Sequence, residues 1–143
     1  MLTFLNLEAE GFCSIESLHL QLNPTCTILI KAPNGKGKST ILSALVWAIY
    51  GKNLKGVSEV NTWKQVRPKD YKGTRVQVYF QKDSHTYKII RCQKYEGVLD
   101  DGAKGKDRLI FIKDGDIIDI KGKGKIQDAI NREIGLSYTL FMN

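Results

Sequence analysis

Along the first 22 residues apolar side chains alternate with polar ones, at Leu2, Phe4, Leu5 and Leu7, and again after Gly11 at Ile15, Leu18, Leu20 and Leu22. A period of two predicts two antiparallel strands. Asn23-Pro24 breaks the pattern, and 26–30 is apolar or β-branched at almost every position, which predicts a short, fully buried strand. The period then changes. Over 39–50, Ile41, Leu42, Leu45, Val46 and Ile49 form the stripe of a helix packed on a sheet, and Gly51 supplies its stop.

The second half returns to strands. Residues 52–73 are polar, basic and interrupted by Gly and Pro, an irregular loop with at most one short strand. Val76, Val78 and Phe80 alternate with Arg75, Gln77 and Tyr79, and 87–92 is rich in β-formers, so a hairpin connected through 82–85 is predicted. Residues 96–107 read as a Gly- and charge-rich loop. In 108–120 two strands meet around Asp114-Gly115, a strong turn signal. Ile126, Ala129, Ile130 and Ile134 share one face of a last helix closed by Gly135, and Ser137 would cap a further helix that the chain barely begins. A chain of 143 residues suits one domain, 1–143, with a single core.

Composition adds charge to this picture. Twenty-two Lys and Arg against 15 Asp and Glu leave a formal charge of +7, which favours nucleotides or nucleic acid without choosing between them. Cys13, Cys26 and Cys92 form no CxxC pair and read as reduced core or near-core thiols of a cytosolic protein. No apolar run approaches the roughly 20 residues that span a bilayer, and no secretory leader is visible, so a soluble cytoplasmic protein with no membrane partner is expected.

The chemistry concentrates in "APNGKGKST" at 32–40, where the buried strand gives way to the helix. A phosphate-binding loop reads G-x-x-x-x-G-K-[ST], and Gly37, Lys38 and Ser39 supply its essential end, while Asn34 and Gly35 add backbone freedom. Glycines let successive N–H groups turn inward around a phosphate, and the helix offers its positive end to the same anion. Lys38 would reach the β- and γ-phosphates, Ser39 would hold Mg²⁺, and Thr40 would contact the α-phosphate side. Ala32 stands at the pattern's first glycine; its methyl group is tolerated only at negative φ. "KGKGK" at 121–125 lacks the hydroxyl that follows Gly-Lys and is a basic loop. "LIFIKD" at 109–114 fits a hairpin better than a metal-binding acidic strand. Without such a strand, a general base or a water-positioning residue, these residues bind nucleotide but hydrolyse it poorly.

The chain resembles the N-terminal head segment of the SbcC family, chromosome-repair ATPases related to the structural-maintenance-of-chromosomes proteins. The residues that carry the resemblance are "EGFCS", "PNGKGKST", "ALVWAIYGK", "NTW", "VQVYF", "YKIIR" and "IGLSYTLFMN". It implies an α/β P-loop NTPase lobe of ABC/SMC type, a mixed sheet with antiparallel hairpins around the P-loop helix. It implies ATP and Mg²⁺ as cofactors, held by Asn34, Gly35, Lys36, Gly37, Lys38, Ser39 and Thr40, with Lys38 as the catalytic group. Cys13 occupies the turn where the family places an arginine, and "NTWKQV" matches an adenosine-side loop, putting Lys64 and Val66 near the base. Remaining catalytic parts would come from a C-terminal lobe beyond a coiled coil, two heads would pair as a homodimer around ATP, and an Mre-type, SbcD-like nuclease subunit and DNA would be partners. Phage recombination exonuclease subunits share this layout. For DNA, Lys94, Lys104, Lys106 and Arg108 in the long loop and Lys121, Lys123 and Lys125 beyond it are the candidates. A self-contained kinase or GTPase lacks its acceptor, lid or guanine-reading residues here, and the Lys38-Ser39 pair argues against a DNA-binding module with a vestigial loop.

Overall fold

The computed structural model describes residues 2–21 and 35–135. The expected strand at 26–30 and the helix after Ser137 lie outside the described residues, as does Cys26.

β1 (Leu2–Phe12) and β2 (Ile15–Gln21) form the first predicted pair, turning at Cys13 and Ser14. α1 (Gly35–Tyr50) follows, then a single 3₁₀ turn over Lys64–Val66 in an otherwise irregular stretch. β3 (Thr74–Lys82) and β4 (His85–Gln93) make the central hairpin. Its connection is tighter than expected, two residues rather than four. Asp83 and Ser84 both take positive φ, at 51° and 70°, the backbone twist that lets a two-residue turn join strands without splaying them.

The stretch 96–107 corrects the sequence reading. It carries a second small sheet, β5 (Tyr95–Val98) paired with β6 (Lys104–Lys106). Its apolar alternation is too short to register as a strand pattern. Tyr95 and Leu99 point into a satellite core with Ile90 and Cys92, so tertiary burial on the outer face of β4 holds the hairpin. β7 (Leu109–Lys113), β8 (Asp116–Ile117) and α2 (Lys123–Ile134) complete the order, with the Asp114-Gly115 turn where the sequence places it.

The main sheet runs β2-β1-β3-β4-β7-β8, and every described pairing is antiparallel. Its inner face presents Leu7, Ala9, Val76, Val78, Phe80, Ile89 and Phe111 to the helices. Aromatic rings step across four strands. Phe4 meets Phe80 edge-on at 6.0 Å, Phe80 stacks on Tyr87 at 4.8 Å, and Tyr87 on Phe111 at 5.7 Å. The far half of α1 is enclosed on more than the predicted stripe. Ala44, Trp47 and Ala48 are buried alongside Val46 and Ile49, because the helix packs on β1, β3 and β4 while Arg91 and Gln127 close over its end.

Candidate functional site

α1 begins four residues before the sequence pattern places it. Gly35, Lys36, Gly37 and Lys38 are helical backbone, and the first turn holds no acidic residue. The first four N–H groups of any helix lack an acceptor within it, and the dipole adds partial positive charge there. A carboxylate-free first turn therefore suits an anion such as phosphate. The glycines suggested a loop because each weakens a helix by about 1 kcal/mol relative to Ala, a preference outweighed here by the helix's buried far half. Asn34 lies outside the described residues. Thr40 follows in the second turn, half-buried.

The other end of α1 is clasped. Buried Arg91, from β4, donates through Nε to the Ala48 carbonyl at 3.0 Å and through Nη2 to the Ile49 carbonyl at 3.3 Å and to Gln127 Oε1. Gln127 Nε2, from α2, donates to the same Ile49 carbonyl at 2.9 Å. These donors satisfy carbonyls that helix geometry leaves open, and the guanidinium opposes the negative end of the dipole. Desolvation lowers the Arg91 pKa to about 10, so the group stays charged near neutrality. Sequence reading passed over it, though an arginine between Ile90 and Cys92 on an otherwise apolar run was the signal.

The turn at Cys13 and the "NTW" segment come together in the fold. Cys13 N–H donates to the Val60 carbonyl at 2.8 Å, and Phe12 bridges Asn61. Cys13 has φ 50° and a half-buried thiol, its pKa raised by burial and by Glu59. Asn61 Nδ2 donates to Tyr71 Oη at 3.2 Å, Thr74 Oγ1 at 2.9 Å and the Gln93 carbonyl at 3.0 Å. Thr74 Oγ1 and Tyr71 Oη both donate to the Gly11 carbonyl, at 2.7 and 3.1 Å. The backbones nearly touch here. A Cβ on Gly11 would stand 2.0 Å from the Gly73 carbonyl oxygen, and one on Gly73 2.0 Å from that of Lys94. Beside this knot opens a cleft of about 450 Å³ whose walls include Gly11, Ser14, Thr62, Val66 and Tyr71. Val66 thus borders a cleft next to the Cys13 turn, while Lys64 is exposed on the same 3₁₀ turn.

The basic candidates fall in two groups that touch at one contact. Lys94, Lys104, Lys106 and Arg108 lie on or beside the β5–β6 hairpin, and Lys121, Lys123 and Lys125 lie at the start of α2. Lys123 Nζ donates to the Asp107 carbonyl, joining the two groups. Several are already engaged. Arg108 holds Asp101 through two bonds of 3.2 and 2.5 Å, Lys104 pairs with Glu96 at 3.0 Å, and Lys94 with Glu59 at 3.7 Å. Lys106, Lys121 and Lys125 are exposed. Among the described residues no His, Cys, Asp and Glu cluster suits a metal, and no helix is long and apolar enough to cross a membrane.

A helix opening at a phosphate-binding signature, set against an antiparallel sheet, defines the lobe of a P-loop ATPase head. The chain belongs to the AAA domain family, whose model matches residues 6–141. The resemblance to an SbcC-type ATPase head segment holds. Exonuclease subunit 2 of Escherichia phage RB69 is 27% identical over 132 residues, a match covering 87% of this chain and 20% of the phage protein. A solved structure of the recombination mediator protein RecF-ATP in the RecFOR pathway superposes with a TM-score of 0.51 at 18% identity, covering 87% of this chain and 30% of that one. At that identity the likeness is one of fold. The chain thus spans about a fifth of the phage relative and under a third of the RecF chain.

Proposed function

We propose that this chain is the ATP- and Mg²⁺-binding lobe of an SbcC-like DNA repair or recombination ATPase. The observation that carries the proposal is the first turn of α1, where Gly35, Lys36, Gly37 and Lys38 supply amides that have no acceptor within the helix, in a turn with two lysines in its sequence and no carboxylate. The family match and the kinship with an exonuclease subunit support the same reading. In it, the amides of 35–38 and the Lys38 ammonium would bind the triphosphate, Ser39 would hold Mg²⁺, and Thr40 would support the α-phosphate side. Bound Mg²⁺ would supply charge stabilisation as the γ-phosphoryl leaves. Asn34 would contribute a further amide, and the Cys13 turn with Lys64 and Val66 would border the nucleoside. A C-terminal lobe of the same head, a second head and an SbcD-like nuclease subunit acting on DNA ends complete the assembly by resemblance.

The test is direct. Titrating the 143-residue chain with labelled ATP and Mg²⁺ should show weak binding with negligible turnover, and Lys38→Ala should remove the binding. Adding the C-terminal lobe in trans should raise hydrolysis. Substantial turnover by this chain alone, or ATP binding indifferent to Lys38→Ala, overturns the reading.

A further inference from the structure

Trp63 is 79% exposed, at the head of the 3₁₀ turn, with Val66 beside it 67% exposed; the chain's other tryptophan, Trp47, is 2% exposed in the core. The large exposed apolar side chains among the described residues are Val57, Trp63, Val66, Val98 and Ile117, and Trp63 alone of them is aromatic. An indole in water is an unusual surface choice, and here its mounting is rigid. The preceding Thr62 is gripped on both sides: its N–H donates to Tyr71 Oη at 2.9 Å, and its carbonyl accepts from Arg67 Nε at 2.7 Å. Arg67 in turn lies over the Tyr71 ring at 4.7 Å, and Tyr71 is tied to Gly11. The indole is therefore presented by a fixed backbone.

The segment around it is positively charged. Residues 52–72 hold six Lys or Arg against Glu59 and Asp70. Lys64 and Lys69 are exposed on either side of Val66. The neighbouring cleft is lined by Glu10, Glu16 and Asp70 together with Lys72, a less favourable wall for phosphate than the loop's lysines.

We propose that this loop is a contact for single-stranded DNA, with Trp63 as a base-stacking platform and Lys69 as a backbone partner. It rests on the reading of the chain as part of a DNA-acting ATPase for the class of partner, and deepens it by naming the surface. Stacking on an aromatic face combined with cations that follow the backbone is the chemistry of sequence-tolerant single-strand binding. A duplex keeps its bases stacked on each other and offers an indole no free face, so the single strand is the preferred form. The hairpin cations paired with Glu59, Glu96 and Asp101 lack such an exposed ring.

The experiment uses the 143-residue chain and a fluorescein-labelled oligothymidylate of about 15 nucleotides, a length within the single-strand site sizes of such platforms. Oligonucleotide should quench the iodide-accessible tryptophan emission, which Trp63 supplies because Trp47 is buried. By anisotropy, Trp63→Ala should weaken binding about tenfold and Trp63→Phe much less. Lys69→Gln should lower the slope of log affinity against log salt by about 0.7. Circular dichroism of each variant should match the wild type. Binding by Trp63→Ala within about twofold of wild type, a duplex bound as tightly as the single strand, or full protection of Trp63 by ATP and Mg²⁺ without oligonucleotide each overturns the proposal. ATP binding is scored in the same solutions, so its absence counts against the ATPase reading and leaves the oligonucleotide result interpretable.

Discussion

Arg91 shows how one side chain can set the position of the helix that opens at the phosphate-binding signature. It bonds two carbonyls at the end of α1 and the side chain of Gln127 on α2, so β4 and both helices meet at one guanidinium. Truncating it to Leu keeps apolar bulk but removes the donor to the Ala48 carbonyl, while Gln127 still serves Ile49. A buried carbonyl without its charged donor costs roughly 2–3 kcal/mol. Arg91→Leu should lower the urea midpoint by an amount corresponding to about 3 kcal/mol at unchanged m-value, and Arg91→Lys, which keeps charge but not the fork, by less. A loss under about 0.5 kcal/mol, the level of ordinary surface substitutions, would show that the clasp is idle. Gly73 offers a second test at this scale. With φ 106° and a Cβ position 2.0 Å from the Lys94 carbonyl oxygen, Gly73→Ala should leave little folded protein in a soluble-expression and circular-dichroism assay.

The elements differ in how openly the sequence announces them. β1, β2, β3, β4, β7 and α2 were legible because each carries its own period, and stops such as Gly135 at the end of α2 and Asp114-Gly115 after β7 bound them. Local chemistry decides those features. The β5–β6 hairpin was illegible because what holds it is remote: Tyr95 and Leu99 bury against Ile90 and Cys92, and the Tyr95 hydroxyl donates to Glu10 Oε2 at 2.7 Å, 85 positions away along the chain. The phosphate-loop residues were legible as a motif, yet the start of α1 was not, since glycine argues locally for a loop and the packing of Trp47 and Ala48 argues for a helix. The polar knot around Asn61 escaped notice for the same reason as the hairpin, its members coming from four separate stretches. Because the hairpin covers Cys92, its stability can be read chemically. The fork between Arg108 and Asp101 closes the hairpin's loop and holds the Asp101 carboxyl down at about 2. Burial pushes the Cys92 thiol up to about 11. Asp101→Asn should raise the rate at which Cys92 reacts with a disulfide reagent at pH 8 several-fold, with Cys13, outside the hairpin, unchanged; equal rates in variant and wild type would mean the fork does not gate the hairpin.

At the scale of the whole molecule, three phenols are buried, and two of them couple parts of the fold that no single element joins. Tyr50 ends α1, Tyr87 sits in the aromatic row and donates to Glu133 Oε2 of α2 at 2.8 Å, and Tyr95 ties the small hairpin to β1 through Glu10. Burial pushes all three up to about 12, with the carboxylates of Glu133 and Glu10 adding to the effect at Tyr87 and Tyr95. A phenol held above its ordinary value of 10 binds its proton more tightly folded than unfolded, so this contribution to stability is complete below pH 10 and is lost as pH rises through 12. Each such group withdraws stability across that window, and the three act in the same direction. Alkaline titration should therefore show a steep rise in tyrosinate absorbance at 295 nm that coincides with loss of far-ultraviolet ellipticity between pH 10 and 12. Tyr87→Phe should move that joint transition to higher pH relative to the variant's own stability at pH 7, because one ionising group has been removed from it. Tyrosinate formation completed by pH 11 with the ellipticity intact would show that the three rings ionise without unfolding, and that helices and sheet are joined through other contacts.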